Sequence, residues 1–426
     1  MERKYDIVIL GATGFTGQFV LEEALRNITE GNNVGTRLCA AGRDITRLKA
    51  TIEYAKKCAE SEIDVSTEVV DVNNMESLEA LTSKTKVLLS CVGPYRTYGH
   101  QVALACIKGG ADYLDICGEP EFLESVQAKF DVEAKAKGLH LVGSCGFDSV
   151  PADVGTLELH KRFNGKLAHV EMVAAHQHVD GLSPPIHATT LECAVLGYAN
   201  RHKLRDNRAV VMPPGLPLLP YKPAKRPMMW YHEQDKLWCF NNLGSDRSVV
   251  MRSQHLLRRL RQEDYQPLHF SAFFGMHTIG EALKALMFGF IFMILSCCAL
   301  GRNLLIKYPR VLTLGLFSWR GPERRELLRQ SFCVALTGHG WTTSDTCTPP
   351  APVCRLRVRG PDPGYFGTAI IVVQCALTML REKTSLPLGG GVFTPAAAFA
   401  NTNLVPNLTS RGVTFTYDDI KKDLQS

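Results

Sequence analysis

The chain has 426 residues, enough for two domains with substantial cores, and carries a formal net charge of +6 with a pI near 8.6. Its basic residues are dispersed and no zinc-finger or comparable spacing occurs, which excludes nucleic acid as a partner class. The 14 cysteines are scattered without a C-x-x-C pair, and an apolar strand begins almost at the N-terminus, so the expectation is reduced thiols and no cleavable signal peptide.

Ile7 to Leu10 form an unbroken apolar run, which suits a parallel strand buried on both faces. Gly11, Gly14 and Gly17 follow, and then Phe19, Val20, Ala24 and Leu25 fall at helical spacing. This is strand, glycine turn, helix. Glycine lets the chain turn tightly and lets backbone approach a phosphate, while the helix start presents unpaired N–H groups and a positive dipole end. The spacing is G-x-x-G-x-x-G rather than G-x-G-x-x-G, but a second strand, Leu38 to Ala41, follows at the distance a βαβ unit requires. Gly11, Thr13, Gly14, Phe15, Thr16 and Gly17 are therefore the expected pyrophosphate site. At the end of the second strand stands Arg43, which suits the 2′-phosphate of NADP; an acidic residue there would favour NAD.

A helix from Ile45 to about Glu60 leads to a third strand, Glu68 to Val72, where Asp71 can flank the adenine. The fourth strand, Lys86 to Val92, ends in Gly93-Pro94-Tyr95, placing Cys91, Gly93 and Pro94 beside the nicotinamide. A helix from about Gly99, strand Tyr113 to Ile116, a helix from Pro120 to Lys137, strand Leu139 to Val142 and the loop Gly143 to Pro151 complete the pattern. Six short strands alternating with helices predict a Rossmann-type doubly wound parallel sheet over residues 1–150, with ligands bound beyond the strands' carboxyl ends. On that rim Tyr95, Asp115, Glu119 and Asp148 are the candidates to protonate or hold a substrate, with Tyr95 and Asp148 the two catalytic candidates. Asp115 also suits a buried structural carboxylate, and Asp148 a turn cap. The Tyr-x-x-x-Lys spacings at Tyr221/Lys225 and Tyr417/Lys421 lie on no helix of this sheet. His176, His178 and His187 lack a clustered third ligand, so no metal site is expected.

From Pro151 the pattern changes to a second α+β domain, residues 151–360. Val170 to Ala175 reads as a strand and Thr189 to Leu196 as a helix. Met212 to Pro227 holds six prolines and reads as a loop. Ser331 to Leu336 and Val353 to Val358 read as antiparallel strands joined through Cys347 to Pro350. Residues 361–426, with the apolar helix Gly367 to Leu380, are expected to return to the first domain. Ala285 to Gly301 is 17 residues without a charge, at the lower limit for a spanning helix. A second apolar piece, Val311 to Trp319, follows the basic break at Arg302, Lys307 and Arg310. The hairpin-like region 285–319 suits an in-plane anchor on a lipid surface; burial in the second domain or a homodimer interface is the alternative.

The segments GATGFTGQFV (Gly11–Val20), AGR (Ala41–Arg43), CVGPYRTYG (Cys91–Gly99), GADYLDICGEP (Gly110–Pro120), GFDSVPAD (Gly146–Asp153) and GGGVFTPAAAF (Gly389–Phe399) together resemble the saccharopine dehydrogenase family, most closely its animal oxidoreductase-like branch. The resemblance covers essentially the whole chain. It implies a nicotinamide cofactor, NADP or NAD, and an inserted α+β domain. It also implies association with lipid droplets or mitochondria, and kinship with bacterial enoyl reductases of glycolipid synthesis. Saccharopine carries three carboxylates and would need convergent arginines, whereas this chain offers the apolar region 285–319. The expected function is an NAD(P)-dependent oxidoreductase transferring hydride to an apolar, lipid-linked substrate at a cytosol-facing droplet or membrane surface. The alternative is a non-catalytic nucleotide-binding scaffold anchored at such a surface.

Overall fold

A computed structural model describes residues 2–30, 35–178, 185–261, 264–342 and 348–418. Two compact units emerge: Met1–Val150 with Gly364–Arg411, and Pro151–Pro363 with Gly412–Ser426. In the first, strands β1 (Tyr5–Leu10), β2 (Leu38–Gly42), β3 (Ser66–Val69), β4 (Thr85–Ser90), β5 (Asp112–Asp115) and β6 (His140–Val142) pair in parallel in the order β6-β5-β4-β1-β2-β3. The short strand Gly391–Phe393 adds to the β6 edge, also parallel. Helices α1 (Gly17–Glu30), α2 (Ile45–Ala59), α3 (Met75–Thr82), α4 (Tyr95–Gly109) and α5 (Pro120–Ala136) make the crossovers.

All six residues of β1 are buried, as the apolar run requires of a central strand covered on both faces. From β1 the chain moves outward through β2 and β3, then returns to β4 on the opposite side. The carboxyl ends of β1 and β4 therefore form the switch point at which doubly wound sheets bind ligands. Cys91 N–H donates to the Leu10 carbonyl at 2.8 Å and closes the two strand ends together.

Of the elements that start or stop elsewhere than their sequence suggests, two bear on the site. β3 ends at Val69, so Asp71 lies beyond the strand, where its Oδ1 accepts from Asn73 N at 3.0 Å. α4 begins at Tyr95 rather than near Gly99, although Pro94 at its N-cap offers no side-chain acceptor. The acceptor is Glu119 Oε1, 2.8 Å from Tyr95 N and 24 residues away in sequence. A carboxylate at a helix N-terminus satisfies an orphan donor and favours the dipole.

The expected C-terminal return is divided. The helix Thr368–Arg381 is buried throughout Thr368–Met379 and packs on α1, β4 and β5. Together with Pro363–Gly367 before it, it makes a 19-residue stretch long and apolar enough to cross a membrane, yet this is a core segment, 78% buried. Thr414–Asp418, however, pairs with Ala351–Pro361 and belongs to the second unit.

That unit is built on a seven-stranded sheet ordered Thr414–Asp418, Ala351–Pro361, Gln330–Trp341, Lys166–His178, His269–Met276, Leu237–Asn241, Met229–His232. Its pairing of Lys166–His178 with His269–Met276 is parallel and the others are antiparallel. The proline-rich stretch from Met212 to Pro227 has neither helix nor strand. Cys347 and Lys421 lie outside the described residues.

The apolar region folds as helices Ile279–Ser296, Ala299–Lys307 and Pro309–Leu312. A capping box of Thr278 and Glu281 starts the first. Phe288, Phe292 and Leu295 pack on Leu191, Val195 and Leu305. The other face, Leu283, Met287, Phe290, Met293 and Ile294, is exposed. Only Ala282 and Ser296 of this 18-residue helix are buried. Burial inside the second domain is therefore not its arrangement.

The α4–α5 contact is tight: a Cβ on Gly99 would stand 2.4 Å from the Phe122 ring. Gly99→Ala is expected to destabilise the first unit by about 1–3 kcal/mol through overpacking, read as a lowered urea midpoint.

Candidate dinucleotide and hydride-transfer site

The glycine turn is defined by contacts that exclude a side chain. Gly11 has φ +85°, and a Cβ there would lie 2.8 Å from Val92 Cγ2. A Cβ on Gly17 would lie 2.1 Å from the Gly11 carbonyl oxygen. Gly14 N–H donates to that same carbonyl at 2.9 Å, and Thr16 O accepts from Phe19 N and Val20 N, so α1 starts directly on the turn. The first helical turn then presents N–H groups without intrahelical acceptors just beyond β1. A bare backbone cradle at the switch point, facing a helix N-terminus, fits the pyrophosphate of a dinucleotide.

Arg43 directly follows β2 and is exposed, with no ion pair among the described residues. The carboxylate beside it is engaged elsewhere: Asp44 Oδ1 caps α2 by accepting from Thr46 N at 2.8 Å and Arg47 N at 3.1 Å. The Arg43 cation is thus not drawn into the cap of α2. Thr13 is half-buried, its Oγ1 3.7 Å from where a Gly42 Cβ would stand, between the ends of β1 and β2. Asp71 is exposed on the same side of the sheet, held by Asn73.

The Phe15 ring turns toward the C-terminal part of the unit. It meets Tyr365 edge-on at 4.8 Å, and Phe19 packs on Tyr365 at 5.8 Å and on Phe366 at 5.1 Å. The side chain of Phe15 accordingly braces the loop. Nothing near Phe15 in sequence announces this clamp.

Beyond the ends of β4, β5 and β6 the rim is organised by buried carboxylates. Asp115 Oδ1 accepts from Cys117 N at 2.9 Å and from Ser144 N at 2.7 Å, tying the loops after β5 and β6 together. Glu119, besides capping α4, takes the Arg96 Nε–H at 2.6 Å in a pair whose side chains are 9% and 4% exposed. Cys91 is half-buried, and desolvation together with the Asp115 charge pushes its thiol up to about 12, so it packs as a neutral thiol. Gly93 and Pro94 lead from it into α4.

Tyr95 is not placed as a proton donor. Its ring is buried against Phe122 and its hydroxyl donates to the Ser90 carbonyl at 2.9 Å. Burial, then the Asp115 charge, raises its pKa well above the ordinary phenol value. Because α4 begins one turn earlier than its sequence suggests, the ring is carried inward.

Asp148 is placed differently. It is exposed to water, and a Cβ on Gly118 would lie 2.8 Å from its Oδ2, so the carboxyl rests against the backbone after β5. Desolvation by the protein around it raises its pKa above the ordinary carboxylate value. Phe147 N–H donates to Thr368 Oγ1 at 3.2 Å, which fixes the loop from the C-terminal helix. Of the two catalytic candidates, Asp148 alone reaches water with a group suited to proton transfer.

Residues 7–142 match the family model described as the saccharopine dehydrogenase NADP binding domain, and the first unit binds NADP. The saccharopine dehydrogenase-like oxidoreductase of Rattus norvegicus is 36% identical to this chain over 97% of each. The lipid droplet localized protein of Caenorhabditis elegans is 32% identical over 97% of this chain and 98% of its own. Apo saccharopine dehydrogenase (L-Glu forming) from Saccharomyces cerevisiae shares the fold, with a TM-score of 0.55 over 97% of this chain and 100% of that one at 13% identity.

Arg43→Ala is expected to weaken NADPH about 10- to 100-fold, the loss of a charge-assisted contact, and to leave NADH nearly unchanged. Gly17→Ala should weaken both cofactors. Fluorescence titration separates the two effects, and equal affinity of the parent for NADPH and NADH would remove the role given to Arg43.

Proposed function

This chain belongs to the saccharopine dehydrogenase-like oxidoreductases, and from that premise we propose that it reduces a C=C or C=N bond of an apolar, lipid-linked substrate, with NADPH as hydride source and Asp148 as acid. The observation that carries this reading is Asp148: a water-accessible carboxyl at the carboxyl rim of the sheet with a raised pKa. Bound NADPH supplies a hydride at its nicotinamide. Asp148 donates the balancing proton to the carbon or nitrogen left electron-rich by hydride addition. Asp115 and Glu119 hold the loops that bring it there, and Tyr95 anchors the start of α4.

Two features argue against a tricarboxylate such as saccharopine. Arg355 and Arg357 both bind Asp235, and Arg357 also binds Asp418. Arg226 is paired with Glu171 at 3.0 Å. These cations are already neutralised by the chain's own carboxylates. The exposed face of Ile279–Ser296 instead favours an apolar surface, and between Glu281 and Glu323 the chain carries Lys284, Arg302, Lys307, Arg310 and Arg320 with no acidic residue. A water-facing apolar helix followed by basic residues suits contact with anionic lipid without crossing it. The nematode relative's name supports a lipid-droplet setting.

A raised pKa means that protonated Asp148 predominates below that pKa and is lost as pH rises through it. Accordingly kcat should fall with rising pH, with an inflection above the ordinary carboxylate value. Asp148→Asn should lower kcat by about 10²–10⁴ and flatten the profile, while binding NADPH as the parent does. Tyr95→Phe should keep turnover and cost about 0.5–1.5 kcal/mol of stability through its lost hydrogen bond. NADPH oxidation with enoyl-lipid and imine substrates is the assay. Inactivity of folded, NADPH-saturated protein on both classes would move the reading to a non-catalytic scaffold.

Phe290→Asp with Ile294→Asp should abolish flotation with vesicles containing phosphatidylserine while leaving the NADPH titration intact. Undiminished flotation of that variant would place the lipid contact elsewhere.

A further inference from the structure

Among the described cysteines, Cys297 and Cys298 alone are exposed. They are adjacent and occupy the junction of two helices: Cys297 ends Ile279–Ser296 and Cys298 caps Ala299–Lys307. Cys297 Sγ donates to the Met293 carbonyl at 3.1 Å, and Cys298 Sγ accepts from Gly301 N at 3.4 Å. Around them the exposed side chains are Met293, Ile294 and Leu300, the last 72% accessible. Arg302 follows, its Nη1 bound to the Ser296 carbonyl at 3.0 Å. Both thiols thus stand at the end of a water-facing apolar helix, where it gives way to basic residues.

Such thiols contribute nothing to a core. Nor does a disulfide between them suit the geometry, because adjacent Cα atoms are about 3.8 Å apart and disulfides usually span about 4.4–6.8 Å. Cysteines at the border of an amphipathic, membrane-apposed helix are the setting in which S-acylation occurs.

We propose that Cys297 and Cys298 form an S-acylation site carrying long-chain fatty acyl groups. The site rests on the lipid-surface reading of the helix Ile279–Ser296 and extends it. The cysteine sulfur, as thiolate, adds to the carbonyl carbon of a fatty acyl thioester donor. A new carbon–sulfur bond forms, the donor's carbon–sulfur bond breaks, and the donor thiol leaves with the proton, with no change of oxidation state. One acyl chain alone gives only reversible membrane binding, and an apolar helix with basic residues beyond its end supplies the second signal for lasting attachment.

The test is metabolic labelling of the full chain in animal cells with an alkyne fatty acid, followed by treatment with neutral hydroxylamine. The parent should take up label that hydroxylamine removes. The double variant Cys297→Ser with Cys298→Ser should fall to background, and Cys58→Ser should label as the parent does. NADPH titration checks that each variant is folded; should the double variant fail it, Cys297→Ala and Cys298→Ala are read singly, each with reduced label. Absence of label on the parent, label resistant to hydroxylamine, or undiminished label in the cysteine variants overturns the proposal. Flotation of unacylated, bacterially made protein with phosphatidylserine vesicles separates the two readings. Protein that floats but is never labelled in cells overturns the acylation site alone. Protein that is labelled at these cysteines but does not float unmodified overturns the lipid-binding helix alone.

Discussion

A single added carbon at position 17 would stand 2.1 Å from the Gly11 carbonyl oxygen, and much of the first unit depends on that space staying empty. It lets α1 rise directly from the end of β1, the strand on which the rest of the sheet is assembled to either side. The same closeness aims the unpaired amides of the helix start at the switch point between β1 and β4. Phosphate binding and sheet topology are therefore one constraint. The clamp of Phe15 and Phe19 on Tyr365 and Phe366 holds the loop from its far side, where a glycine-rich turn would otherwise be mobile in conformation.

The carboxyl rim uses its acidic residues unequally. Asp115 and Glu119 are buried and spend their oxygens on backbone amides and on Arg96. Removing either partner of a buried charge pair leaves the other uncompensated, which is why such groups fix geometry firmly. Asp148 differs in its exposure, being in contact with water and held against Gly118. A raised carboxyl pKa keeps more of the acid form near neutrality than a freely solvated aspartate would. The rim thus holds buried carboxylates that build its loops beside one that is exposed.

The helix Ile279–Ser296 poses the opposite problem. One stripe packs on Leu191, Val195 and Leu305, while Met287, Phe290 and Met293 face solvent at about half of their full exposure. A contiguous apolar patch on a water-facing surface is unfavourable unless something covers it. The helical stretch Pro363–Arg381 is similarly long and apolar but is mostly buried in its surroundings. Composition alone cannot separate the two helices; the packing around each does.

Local pattern determined a good part of this protein. The run Ile7–Leu10, the three glycines and the helical spacing after them, the alternation of short strands and helices, and Arg43 beyond β2 are short-range signals, and each stands where its pattern puts it. The sequence also marks 285–319 as apolar with basic breaks, because charge and hydrophobicity are written residue by residue. Tertiary structure decided the rest. α4 starts at Tyr95 because Glu119, 24 residues on, accepts its amide. That earlier start turns the tyrosine ring inward and removes it from proton transfer. Thr414–Asp418 leaves the first unit because its backbone finds a partner strand in Ala351–Pro361. Which side of an apolar helix meets protein and which meets solvent depends on elements far away in the chain. Hydrogen bonds and contacts between distant residues leave no periodicity in sequence, and it is these that mark Asp115 and Glu119 as structural carboxylates.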